Sequence, residues 1–595
     1  MRIAGYLSNT THDPLEQRLL KGSKETMSFL QLETNGMFIW VAHSKAISGT
    51  SLVYSSSDEI VLIDGPPVVK KEEFEIISAE DIGEISTVIS RIESNSPILT
   101  AEKEEGHIQL NLTSSRAGPG KMWYAFENDA LVFSNDIRIL IHALGYQPDL
   151  ISLYSIFRLG RILEPRSMSA NIRCISPGYS LSAIGMPLKL DEKREFRYSF
   201  TPIKKTISDF KDLLEKTTDV LSLLDVDLLM SGGVDSTLLA FMMDVSTKKG
   251  FYLMFDESDP ELPYAEEAAS STGIPLKIFK MTTEDALDAI FECPKSHIQP
   301  TVDFSAINTF YLMNQIKKTS RDTVAILDGN GTEFILGPMI KSKLRGWQLI
   351  RYVPCPIRKM IRRIYSTPDV FTFNLRVIRS LIPVARAAGC RVDVAPNLVF
   401  PMDGFLTTGL DKLDALYAKQ LSSFVSSISD AADFKSFLTI ASLYTNCYVM
   451  LAKTYEVGID PIKSIYPFLW KSFLIEQGTM SWSTKARNSM FKYPLKKMLE
   501  EYMPMEFVHR QKSGFTPPME RWILDSRVNE RVKQVLDTLS PITQRIVSQG
   551  NLTKAFIKAR NRRSYPPQLL TLLWATLFTE LWLRENVHSG NQISD

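Results

Sequence analysis

Residues 226–243 read VDLLMSGGVDSTLLAFMM and carry the side chains best suited to hold an anion. An apolar run from Val226 to Met230 has the look of a buried strand. It breaks at Ser231, Gly232 and Gly233, and apolar residues then recur at helical spacing from Leu238 to Met243. A strand, a small-residue turn and a helix start leave backbone N–H groups unpaired at the positive end of a helix dipole. Gly232 and Gly233 let the main chain approach a ligand with no Cβ in the way. Ser231 and Ser236 add hydroxyl donors. Asp235 would repel a phosphate, and it makes sense here if it holds a divalent cation that the phosphates share. The run is not a Walker loop, because no Lys follows the glycines. The plainer alternative is an ordinary strand–turn–helix with a serine cap.

Three more stretches carry chemistry. Asp328, Gly329, Asn330, Gly331, Thr332 and Glu333 form a second glycine-rich loop after an apolar run. Residues 509–518, HRQKSGFTPP, place Lys512 in a turn-rich segment, and Lys492 stands in the short stretch 490–495. In 299–311, Asp303 and Ser305 either face a substrate or cap the helix that follows.

The elements that must position these residues alternate. Residues 250–255, 275–281 and 323–327 read as strands, and 264–271 and 284–291 as helices. That alternation predicts a doubly wound parallel sheet, with ligands at the carboxyl ends of its strands. Both glycine loops fall there, and the strand ending at Met254 would offer backbone contacts to an adenine. Beyond it, 411–427, 434–457 and 493–502 carry helical patterns. Residues 1–200 differ: short strands at 37–42, 60–63, 108–112, 122–126 and 130–133 are separated by turns, with helices at 136–144 and 150–159. That pattern predicts a mostly antiparallel β domain.

A chain of 595 residues exceeds one hydrophobic core, so two or more domains are expected. A net charge of +1 argues against a nucleic-acid binder driven by overall charge. Five scattered cysteines without metal spacing, and a start with no signal or transit pattern, predict a cytoplasmic protein. Between 339 and 395, twelve Lys and Arg face two Asp. This stretch is either a solvated face or a surface for an acidic peptide, a partner protein or anionic lipid, so membrane association through it stays open.

SGGVDS resembles the pyrophosphate loop of the N-type ATP pyrophosphatases. LDGNGTEFILG and the 509–518 segment resemble the second and third signatures of the asparagine synthetase family, and 465–470 its PFL segment. The resemblance covers most of 200–530 and implies ATP and Mg2+. It places Ser231, Gly232, Gly233, Asp235, Ser236, Met254, Gly329 and Lys492 at ATP or pyrophosphate, and Asp235 and Glu333 at the metal. It makes Lys512 catalytic, and leaves Asp303, Ser305 and Asn330 as candidates to face the substrate. Residues 114–133 and 175–179 resemble the family's N-terminal class II glutamine amidotransferase (Ntn-type) domain. The family's nucleophilic Cys follows the initiator Met, and here Arg2 stands there, which implies that glutamine is not the amine source.

The implied architecture is therefore α/β. A degenerate amidotransferase-like β-rich domain (1–200) precedes an ATP pyrophosphatase (HUP-like) domain with a doubly wound parallel sheet and a helical C-terminal part (201–595), interrupted by the basic insertion. Asn330 stands where the family has an acid, and Trp470 replaces the Asp of PFLD. With the basic insertion, these departures resemble the lasso peptide cyclases. That implies a precursor core peptide as substrate, and a leader-peptide-binding protein and a leader peptidase as partners. The alternatives are a β-lactam synthetase-like or ammonia-dependent asparagine synthetase-like ligase on a small molecule, and a non-catalytic scaffold of a biosynthetic complex.

Overall fold

The computed structural model describes residues 1–334 apart from short gaps, and 336. It then describes a few positions between 353 and 360, residues 403–427, isolated positions between 439 and 453, and 462–487, 490–511 and 516–587. Most of the expected helix 434–457, nearly all of the basic stretch 339–395, and Lys512 lie outside the described residues.

The first 195 residues build two six-stranded antiparallel sheets. One runs Arg173–Cys174, Trp123–Glu127, Ala130–Ser134, Ile3–Ser8, Met37–His43, Ser28–Thr34. The other runs Lys189–Arg194, Tyr179–Ile184, His107–Thr113, Ile98–Glu104, Glu59–Ile63, Leu52–Ser55. Alternation decides which side chains each sheet buries where. Ile3, Leu7, Ile39 and Val41 point inward and meet Leu62, Leu99, Leu110 and Leu112 of the second sheet. Tyr6, Trp40 and Val132 point the other way, into a core shared with the helices Asp13–Ser23 and Ile137–Leu144. Asp136 starts the second helix by accepting the Arg138 N–H at 3.0 Å.

The rest of the chain is organised on a five-stranded sheet in the order Leu276–Lys280, Gly250–Met254, Asp227–Leu229, Ala325–Leu327, Lys463–Ile465. All four pairings are parallel. The strand run expected at 323–327 is shorter than its apolar pattern. Ser320 O accepts from Thr323 N in a turn, and pairing starts only at Ala325. The edge strand Lys463–Ile465 has no counterpart in the sequence reading, since three residues carry too little periodicity. The expected helix 493–502 ends at Leu499, where Met503 N bonds its carbonyl and closes the turn.

Strand order reverses between Asp227–Leu229 and Ala325–Leu327. The first continues to one side of the sheet, and the chain returns to build the other side. Such a switch point opens a crevice at the carboxyl ends of the two strands. The long helix Pro567–Asn586 buries Trp574, Phe578 and Trp582 in the core it shares with the helices Ile137–Leu144, Leu150–Leu159 and Thr283–Ser296. Among the described residues no helix is long and apolar enough to cross a membrane.

Candidate active site

Both glycine loops open into that crevice. The first leaves the strand Asp227–Leu229 and enters the helix Val234–Met242, whose N-cap, Gly233, makes no side-chain cap bond. The cap residue therefore leaves the N–H groups of the first turn unclaimed, which suits an anion. Hydroxyls hold the loop's shape. Ser231 Oγ and Ser236 Oγ are 3.1 Å apart, Gly233 N donates to Ser231 Oγ at 3.3 Å, and Ser236 Oγ donates to Gly233 O at 3.2 Å. Gly232 has φ +61°, and a Cβ there would stand 2.6 Å from the Tyr264 carbonyl carbon. Only glycine fits this turn against the helix Leu262–Thr272.

The second loop packs against the first. A Cβ on Gly329 would lie 3.1 Å from both Asp235 Cβ and Ser236 N, so glycine lets the loops touch. Asp328 folds the loop by accepting from Asn330 N at 3.0 Å and Asn330 Nδ2 at 2.7 Å. Thr332 Oγ1 donates to Asp235 Oδ1.

Asp235 and Glu333 meet across the crevice through one ammonium. Lys492 Nζ lies 2.6 Å from Asp235 Oδ2 and 3.6 Å from Glu333 Oε2. Burial alone would push this ammonium's pKa down. The two carboxylates outweigh that and hold it above the ordinary lysine value. Lys492 itself has φ +53°, the left-handed region that a non-glycine residue enters at a cost of roughly 1–2 kcal/mol. Strain of this kind persists where surrounding contacts over-determine it, and here it delivers the ammonium to the acid pair. Two facing carboxylates suit a magnesium ion, which is held by one or two protein acids and by substrate phosphates. Among the described residues no group of three or more His, Cys, Asp or Glu gathers as an all-protein metal cage.

A cavity of about 130 Å³ lies beside the loops, lined by Ser231, Asp235, Ser236, Asp328, Gly329 and Asn330, and by Phe251, Tyr252 and Leu253 of the next strand. That strand meets the cavity at Leu253. Met254, one residue on, packs with Tyr252 and Ala265 and gives its carbonyl to Met281 N at 2.9 Å. Asp303 accepts from Ser305 N at 2.9 Å and Ser305 Oγ at 2.7 Å, so both side chains are engaged at the start of the helix Ser305–Thr319. The face of that helix that reaches the cavity carries Thr309, Leu312 and Met313.

Two residues of the crevice have no precedent in the sequence reading. Arg510 donates to Gly232 O at 3.0 Å, pairs with Glu261 Oε2 at 2.8 Å, and lies 3.9 Å over the Tyr264 ring. It was legible as a basic residue two positions before Lys512, but not as a clamp on a loop 278 residues away. Lys453 lines the cavity from an apolar run with no spacing signal of its own.

The start of the chain is held by its neighbours. Arg2 is tied down there, with Nε 3.2 Å from Asp136 Oδ2 and Nη1 donating to Ser23 O at 3.1 Å.

Comparison with known proteins agrees with this geometry. The chain is 21% identical over 492 residues to "Asparagine synthetase [glutamine-hydrolyzing] 1" of Bacillus subtilis (strain 168), covering 77% of this chain and 74% of that protein. The asparagine synthase family profile matches residues 209–393 and 461–584, which take in both glycine loops, Lys492 and the 509–518 segment. With more than half of its length matched, the chain belongs to the asparagine synthase family.

Proposed function

We propose that this protein is an ATP-dependent, AMP-forming amide synthetase that closes a precursor peptide into a macrolactam, as lasso peptide cyclases do. The observation that carries the ATP reading is the acid pair Asp235 and Glu333 beside a glycine loop with an uncapped helix start. A side-chain carboxylate oxygen of the peptide attacks the α-phosphorus of ATP, and the bond to the bridging oxygen breaks. Pyrophosphate leaves toward Ser231, Gly233 and Ser236, where backbone and hydroxyl donors converge. The peptide's N-terminal amine then attacks the acyl carbon, loses a proton, and displaces AMP. Holding both partners in one crevice makes the second step effectively intramolecular. Asp235 and Glu333 would hold Mg2+, which neutralises charge on the phosphates. Lys492 is near enough to follow the pyrophosphate when it is released from the acid pair. Lys512 is assigned the fixed cation for charge that develops at the acyl centre.

The peptide substrate is supported by three departures from the family pattern. Arg2, paired with Asp136 and bonded to the Ser23 carbonyl, stands where the family has the amidotransferase nucleophile. Asn330 replaces an acid in the second loop. Trp470 is buried against the Phe74 ring, 6.3 Å centroid to centroid, where PFLD has its aspartate. A leader-binding protein and a leader peptidase are the partners this reading requires. The similarity to an asparagine synthetase favours a second reading, amide formation on a small molecule with free ammonia.

One experiment separates them. The full chain is incubated with the precursor peptide, the two partner proteins, ATP and magnesium, and intact mass and AMP are followed. Loss of one water with AMP release is expected. Asparagine formed from aspartate and ammonium, with no dehydrated peptide, would replace the cyclase reading. Nucleotide binding with neither product would leave the scaffold reading.

A further inference from the structure

We infer that Lys453 receives an oxyanion of the bound ligand, a phosphoryl or carboxylate group, in the cavity beside the two loops. The inference rests on the reading of this crevice as a ligand site. Lys453 lines the cavity with Ser231, Ser236, Asp328 and Asn330, and is only 7% exposed. No carboxylate lies within ion-pair distance of its ammonium and no group accepts a hydrogen bond from it among the described residues. A lysine buried to this extent, with no partner among the described residues, is placed to meet an anion in the cavity, since buried charges are as a rule paired.

The other buried lysines show how the fold handles such a group elsewhere. Four lysines are buried among the described residues: Lys121, Lys248, Lys453 and Lys485. Lys121 pairs with Glu164, and Lys248 Nζ donates to Leu224 O. Lys485 lies 4.3 Å from the Phe200 ring centre, and burial pulls its pKa down to about 7, so it sheds its charge readily. Lys453 makes neither an ion pair nor a hydrogen bond among the described residues, and it is the one of the four that lines the cavity.

The nearby acids do not supply the missing partner. Asp328 shares the cavity but accepts from Asn330, and Asp235 is matched by Lys492 and Thr332. Among the described residues, no acid is therefore paired with the Lys453 side chain at this cavity. Besides Asp235 and Asp328, its walls carry hydroxyls, Asn330 and apolar residues that include Leu312, Met313 and Leu253. A ligand that buries an oxyanion there supplies the missing partner.

The test measures binding to the full chain by calorimetry, comparing wild type, Lys453→Met and Lys453→Arg. The probes are AMP, adenosine and glutarate. Loss of AMP affinity on the order of tenfold or more in Lys453→Met, with adenosine unchanged, assigns the oxyanion to the phosphoryl group. Unchanged AMP with weakened glutarate assigns it to a carboxylate. Lys453→Arg is expected to stay within a few-fold of wild type, and Lys453→Met to melt no lower than wild type, because it breaks no ion pair or hydrogen bond among the described residues. Equal affinities for AMP and glutarate in wild type and Lys453→Met would overturn the inference. So would a parallel loss of adenosine binding and melting temperature, which marks a packing role. If the wild type binds neither AMP nor ATP, the ATP reading fails on its own and the glutarate arm alone decides for Lys453. A wild type that binds none of the three probes overturns both.

Discussion

In the N-terminal sandwich the buried charges close on one another, and in the crevice of the parallel sheet they do not. Asp64, buried at the end of an inner strand, takes the Met1 ammonium at 2.6 Å, Asn135 Nδ2 at 2.9 Å and the Lys463 ammonium. Glu164 is similarly filled by Lys121 and Arg161, and Asp136 by Arg138 and Arg2. These clusters use up their donors and acceptors internally, which fits them for holding a fold together. At the crevice an uncapped helix start, an acid pair bridged by a strained lysine, and Lys453, which has no partner among the described residues, stand at or beside a cavity. Polar groups that a fold leaves open at a cost are the ones a ligand completes.

Breaking a closed cluster should damage stability and spare chemistry. Asp64→Ala strands Lys463 and Asn135 and is expected to cost about 3–5 kcal/mol, the scale of a buried pair broken on one side. Thermal unfolding reads this directly. Nucleotide exchange per folded molecule should be unchanged, although Lys463 lies in the edge strand of the sheet that carries the site. The pH dependence sharpens the point. Burial would raise the Asp64 pKa, but Lys463 and the Met1 ammonium hold it below the ordinary carboxylate value. A carboxyl depressed on folding stabilises above its unfolded pKa and loses that contribution as pH falls through the folded one. Below about pH 4 the wild-type melting temperature should therefore fall more steeply than that of Asp64→Asn.

Breaking the open site should do the reverse. Asp235→Asn removes one carboxylate of the acid pair and is expected to lower ATP–pyrophosphate exchange by about 100-fold, the scale of losing one fixed group at a reacting centre. Its melting temperature should stay close to wild type, because Asp235 is partly exposed. A large fall in stability with unchanged exchange would make the acid pair structural and erase the contrast. Gly232→Ala is intermediate. It imposes a left-handed φ costing about 1–2 kcal/mol and a methyl 2.6 Å from the Tyr264 backbone. Weaker pyrophosphate binding should accompany a lower melting point.

Much of this arrangement was legible in the residues. Ser231 to Ser236 announced a loop because strand, turn and helix signals fell in series. The parallel sheet followed from apolar runs alternating with helical ones. Motif register points to Glu333 and a weaker likeness to Lys492, and in the structure the Lys492 ammonium lies between Asp235 and Glu333. What the residues could not show depends on distance along the chain. Lys463 pairs with Asp64 across 399 positions, and Lys453 enters the cavity from an apolar run. Neither leaves a periodic or local trace, since only the tertiary fold sets those neighbours. Asp303 and Ser305 were open between two roles, because an N-cap and a substrate contact draw on the same residue types.

Arg510 tests the comparison most finely, because it is a closed ion pair that sits inside the open site. Its guanidinium spans three partners: the Gly232 carbonyl, Glu261 and the face of Tyr264. A planar fork can stack and donate at once, and an ammonium cannot. Arg510→Met should leave the Gly232 carbonyl without this donor, loosen the loop, and raise KM for ATP about tenfold, the worth of one charge-assisted hydrogen bond. Arg510→Lys should recover little of that loss. If Arg510 acted only as a brace for the helix Leu262–Thr272, both variants would instead lower the melting temperature and leave KM alone. A KM effect with preserved stability would place Arg510 with the open groups, as a positioning residue that links the 509–518 segment to the first glycine loop.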